Sequence, residues 1–148
     1  MTSHSLPPDL KTRISDARES GKLTESESFV LALLVDLKTG PRAGRAQALS
    51  IAKMQGHMQR VDRKVCTERQ IKASVKSLIE VHGIPICSSR DRNHGGYFLA
   101  VESADLEAAE RPLRGEIISL AKRLKAFNPK SDFARHLVGQ LAIQQQTS

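Results

Sequence analysis

The sequence predicts a mainly α fold carrying one small β-hairpin, and three observations support that expectation. Apolar residues recur at three- and four-residue intervals, as in Ile71, Val75, Leu78 and Ile79, or Leu113, Ile117, Leu120, Leu124 and Phe127. After Gly83 that rhythm gives way to an extended pattern, in which Ile84-Pro85-Ile86-Cys87 and Gly96-Tyr97-Phe98-Leu99-Ala100-Val101 have strand character. Helix-start residues (Thr24, Thr67, Ser103) precede the periodic runs, and Gly40-Pro41, Gly83 and Asn128-Pro129 follow them. With 148 residues the chain can form one modest core, or a small core with peripheral helices, but hardly two well-buried domains.

Residues 1–23 are rich in serine, proline and charge. Leu10, Ile14 and Ala17 offer at most a weak helical stripe, so this stretch is expected to be a mobile or loosely packed arm. Thr24 stands three residues before Glu27, the spacing of a capping box, and the helix it starts should run to about Lys38. The apolar run from Phe29 to Val35 makes that helix a central core element. A second helix is expected from about Arg45 to Val61, with Ala48, Ile51, Met54, Met58 and Val61 on its inner stripe; Gly56 weakens its middle and leaves two shorter pieces open.

Thr67 and Gln70 form a second capping signal, starting a third helix that Gly83 can end. Its inner sector is Ile71, Val75, Leu78 and Ile79, and its outer sector is Arg69, Lys72, Ala73, Lys76, Ser77 and Glu80. Pro85 lacks a ladder donor and marks the first strand of the hairpin as an edge. The loop from Ser88 to Gly95 carries Arg90, Arg92, Asn93 and His94. A last major helix, capped by Ser103, should reach Phe127, with Pro112 as a point of bending or splitting. Its seam of Leu113, Ile117, Leu120, Leu124 and Phe127 suits either packing within the chain or a dimerisation contact with a second copy. Ser131 can cap a final short helix through Phe133, Leu137 and Leu141, ahead of a polar tail.

Charge is unevenly distributed. Between Gly40 and Phe98 there are 11 lysines and arginines against four acidic residues, which accounts for the whole formal charge of +7, while the remainder carries 12 of each sign. Such concentration is the electrostatic footprint of nucleic-acid binding, although a solvated basic surface has the same composition.

Other classes find less support. No segment approaches the roughly 20 apolar residues of a spanning helix, and no apolar signal segment opens the chain, so a cytoplasmic protein without a membrane partner is expected. Cys66 and Cys87 form no C-x-x-C motif and read as reduced thiols. The histidines at 4, 57, 82, 94 and 136 lack ligand spacing, so neither a metal nor another cofactor is expected. Asp36, Asp62, Glu80 and Glu116 stand apart in sequence, and no phosphate-loop or nucleophile-elbow motif is present. A catalytic role is therefore not expected.

The order helix, helix, helix, two-stranded wing resembles the winged helix-turn-helix DNA-binding superfamily. The likeness is sharpest over Thr67 to Ser89 followed by Gly96 to Ala100, which is similar to the recognition-helix and wing portion of small bacterial or bacteriophage regulators and replication-associated proteins. It implies a winged-helix domain over 24–101 and a C-terminal helical extension over 102–148. It further implies double-stranded DNA binding in transcriptional or replication control. Arg69, Gln70, Lys72, Ala73, Lys76 and Ser77 would be the helix contacts, and Arg90, Arg92, Asn93 and His94 the wing contacts. Arg69 has the donors for guanine and Gln70 the amide for adenine, unless capping holds Gln70 against its own helix. Arg42, Arg45, Arg60, Arg63 and Lys64 would be auxiliary phosphate contacts. The alternatives are a winged-helix module that binds a protein partner and a non-specific nucleic-acid-binding accessory protein.

Overall fold

The computed structural model describes residues 6–35, 41–61, 64–90 and 95–147. Among them the chain forms α1 (Pro8–Glu19), α2 (Glu25–Leu34), a 3₁₀ turn (Arg45–Gln47), α3 (Ile51–Arg60), α4 (Glu68–Glu80), β1 (Ile86–Ser89), β2 (Gly96–Leu99), α5 (Ser103–Phe127) and α6 (Asp132–Thr147). The fold is mainly helical with one two-stranded antiparallel sheet. No described helix is long and apolar enough to cross a membrane. The chain divides into two compact units, Met1–Leu106 and Glu107–Ser148. The boundary between them falls inside the first turns of α5.

In the first unit α2 is the central element, with Val30, Leu31 and Leu34 fully buried. It packs chiefly against α4, whose Ile71, Val75 and Leu78 belong to the same apolar cluster. Burying each such side chain is worth about 1.5–3 kcal/mol. The Thr24 hydroxyl accepts the Glu27 amide at 3.1 Å, which satisfies one free donor at the helix start. The Glu27 carboxylate instead lies 3.9 Å from Nε2 of His82, at the far end of α4. That element closes at Gly83, whose φ of 66° suits glycine, and the amides of Gly83 and Ile84 donate to the Ile79 and Leu78 carbonyls.

Four expectations about this unit are revised. The segment read as a loosely packed arm contains α1, with Leu6, Leu10, Ile14 and Ala17 buried in the common core. Three apolar residues on one face of the helix, with Leu6 just before it, suffice because the rest of the helix need only be soluble, and Arg13 ties it down by donating to the Gly83 carbonyl at 2.9 Å. The helix expected over 45–61 is broken: after the 3₁₀ turn, Ala48 is extended, and Ser50 caps α3 by accepting the Lys53 amide. The break frees Leu49 to exchange backbone hydrogen bonds with Tyr97, at 2.8 and 2.9 Å, so a third segment bridges to β2 of the hairpin. Gly56 does not interrupt α3. The first strand starts at Ile86, not Ile84, because the Ile84 amide is used to close α4. α2 ends at Leu34, with Val35 already out of helical geometry, short of the end expected near Lys38; Gly40 lies outside the described residues.

In the second unit α5 runs without interruption through Pro112. The proline leaves the Ala108 carbonyl without its usual donor, but both residues are exposed, so water can serve it. Among the described residues of this unit Ala121 and Ala134 are the buried apolar ones, with Ile118, Leu137 and Val138 half-buried. Ser131 caps α6 by accepting the Ala134 amide. Phe133, expected on the inner stripe, is exposed, and α6 continues through the glutamines to Thr147.

Candidate nucleic-acid interface

The start of α4 is held by a complete capping box. The Thr67 amide donates to Oε1 of Gln70 at 2.8 Å, and the Thr67 hydroxyl accepts the Gln70 amide at 3.1 Å. From there the 3.6-residue period sorts the helix cleanly. Ile71, Ser74, Val75 and Leu78 turn inward, and Arg69, Lys72, Ala73, Lys76 and Glu80 are exposed. The buried Ser74 hydroxyl is satisfied by the Gln70 carbonyl at 2.8 Å. A cationic face is thus mounted on a helix whose opposite face is locked into the core.

Within that face the cations differ. Lys72 pairs with Glu68 at 3.1 Å, both ends well exposed, an arrangement worth at most a few tenths of a kcal/mol and readily exchanged for a phosphate. Arg69 and Lys76 take part in none of the ion pairs among the described residues. Gln70 is committed elsewhere: its carbonyl oxygen serves the cap, and it lines a small cavity of about 180 Å³ beside Ser26, Phe29 and Cys66. Ser77 is half-buried and its carbonyl accepts the Val81 amide, so it stands at the margin of the face.

The hairpin pairs Ile86 with Leu99 and Ser89 with Gly96. Its base is anchored to the segment before α3. A Cβ at Gly96, where φ is 132°, would overlap the Leu49 carbonyl carbon and oxygen, so only glycine permits the Leu49–Tyr97 rung. The contact of Gly96 with Leu49 is not visible from local pattern. Arg90 follows β1 and is exposed; Arg92, Asn93 and His94 lie outside the described residues.

Of the auxiliary cations, Arg45 on the 3₁₀ turn, Arg60 at the end of α3 and Lys64 in the connector are exposed, and Arg63 lies outside the described residues. Arg42 differs from the others. Its backbone amide donates to Leu34 and its carbonyl accepts the Leu99 amide, while its Nε is buried without a hydrogen-bond partner. It stitches the segment after α2 to β2. Lys53, exposed on α3, is a cation that the sequence reading left out. Cys66 and Cys87 are unpaired. Burial pushes the Cys87 thiol up, with Asp105 adding to the effect and Arg45 opposing it, which favours its protonated form.

The five residues read as a dimerisation seam, Leu113, Ile117, Leu120, Leu124 and Phe127, are all exposed along α5. Among the described residues no cluster of three or more histidine, cysteine or acidic groups could hold a metal ion. No family model, curated protein or solved structure matches the chain, so its function has to be argued from its own residues.

Proposed function

We propose that the first unit is a winged-helix domain that binds double-stranded DNA, acting in transcription or replication control. α4 is its recognition helix and the β1–β2 hairpin its wing. The observation that carries this reading is the division of α4 into a locked apolar face and an exposed face bearing Arg69, Lys72 and Lys76. The order α2, α3, α4, hairpin, together with the Leu49 rung that gives the hairpin a third extended partner, supports the same reading. Lys72, Lys76 and Arg90 neutralise phosphates, and Arg69, near the helix start, is the base-reading side chain. Gln70 has no such role while it holds the cap.

The test is fluorescence anisotropy of a labelled duplex titrated with folded protein over a salt series. Binding should weaken as salt rises, with a logarithmic slope of about 0.9 per phosphate neutralised. A folded sample that shows no binding at low salt would reject the reading. Selection of bound fragments from random duplex DNA then separates a recurrent site from purely non-specific capture.

A further inference from the structure

We infer that α5 pairs antiparallel with α5 of a second copy of this chain, through the seam Leu113, Ile117, Leu120 and Leu124. This inference does not depend on DNA binding. The seam is uncovered in the single chain: Leu113 is 58% exposed, Ile117 48%, Leu120 57% and Leu124 36%. Four large aliphatic side chains on one narrow stripe form a continuous apolar strip, and their four-three-four spacing is that of a helix that packs along its length on another helix.

Charge identifies the occupant. Glu116 and Arg123 lie on the same flank of the seam, seven residues apart, and belong to none of the ion pairs among the described residues. Antiparallel packing about a two-fold axis sets Leu113 against the partner's Leu124 and Ile117 against the partner's Leu120. The same register brings Glu116 beside the partner's Arg123, and by symmetry does so twice. A parallel pair would set residue 116 beside an alanine and residue 123 beside an asparagine of the second copy, and would oppose the two Glu110 carboxylates on the seam. Antiparallel helices also align opposed dipoles, which matches the acidic bias of the start of α5 and the Lys122, Arg123 and Lys125 cluster near its end.

The flank carrying these charges is open. Pro112, Gly115, Glu116, Ser119, Leu120 and Arg123 line a shallow groove along α5 of about 500 Å³, where Gly115 and Ser119 let a second backbone approach closely. Ala121, on the other flank, is already buried within the chain. One side of the seam is therefore used internally, and the other is left for the second copy.

Sedimentation of the full-length chain over a concentration series, with far-UV circular dichroism as the folding control, tests the arrangement. The wild type should be a dimer at micromolar concentration, and Leu120→Glu should be a folded monomer. Glu116→Arg and Arg123→Glu, each creating two like-charge contacts per dimer, should each raise the dissociation constant about tenfold. The double variant Glu116→Arg/Arg123→Glu should restore it. An equimolar mixture of the two single variants should associate more tightly than either alone. A wild type that stays monomeric at high micromolar concentration would overturn the inference, as would single charge variants that dimerise like the wild type or a double variant that fails to rescue them.

Discussion

α4 and α5 are written in the same code and end in opposite states. Both carry aliphatic side chains at three- and four-residue intervals, yet Ile71, Val75 and Leu78 are buried while Leu113, Ile117 and Leu120 are exposed. Periodicity establishes that a helix has an apolar face, because the 3.6-residue turn converts spacing into angle. It does not say what covers that face. For α4 the cover is α2 in the same chain. The difference teaches that the polar faces also need separate readings. On α4 the basic residues are held rigidly by a buried opposite face, and on α5 the charges flank a seam that still lacks a cover.

The largest expected effect sharpens that contrast directly. Leu78→Ala in α4 or Leu31→Ala in α2 removes a fully buried side chain and should cost about 2–5 kcal/mol of unfolding free energy. Leu120→Ala, measured by urea denaturation at concentrations where the chain is monomeric, should stay within about 0.5 kcal/mol of wild type. Comparable losses in the two helices would abolish the distinction.

Gly96→Ala comes next. The added methyl must displace the Leu49 backbone and adopt a positive φ, so a loss of about 1–3 kcal/mol is expected, detected as a lower denaturation midpoint. Amide exchange at Leu49 and Tyr97 should accelerate, because their reciprocal bonds define the rung that is displaced. Thr67→Ala removes the cap of α4 and should cost about 1 kcal/mol. Alanine keeps the residue-67 amide that donates to the Gln70 side chain, so duplex-binding preference should not change in this variant.

On the cationic face the effects concern affinity and leave stability nearly unchanged. Lys76→Ala should weaken duplex binding across many sequences and lower the salt slope by about one. Arg69→Ala should change sequence preference; equal losses on every duplex would remove its base-reading role. The double change Arg90→Ala/Arg92→Ala tests the hairpin, and unchanged affinity would exclude it from the interface.

The smallest effect follows from Cys87. Its thiol is raised above the ordinary 9.0, so between that value and its higher folded value the native state holds a proton that the unfolded chain has lost. Stability is therefore undiminished below pH 9 and declines as pH climbs above it. Cys87→Ala should flatten that alkaline slope in denaturation experiments compared with wild type.

Much of the architecture was legible because its signals are local. The Thr67–Gln70 box, the Gly83 stop, the Ser50 and Ser131 caps and the apolar stripes act within one or two turns, so spacing alone reveals them, although Ser50 was overlooked inside a longer periodic run. The candidate site was legible in part: spacing placed Arg69, Lys72 and Lys76 on one side of a helix, whereas the burial of the Arg42 Nε depends on contacts that spacing does not reveal. α1 was undervalued because its three buried apolar residues matter only through the partners that bury them.

By itself, then, the sequence determined that α2, α4, α5 and α6 are helices, the Thr24, Thr67 and Ser131 caps and the concentration of positive charge between residues 40 and 98, since each depends on neighbours along the chain. Only the tertiary structure decided that the 45–61 stretch breaks so Leu49 can pair with Tyr97, that Gly96 must lack a side chain, and that the α5 seam stays uncovered. Those outcomes depend on contacts between residues tens of positions apart, where hydrogen bonding and exclusion of water act through space and outweigh local propensity.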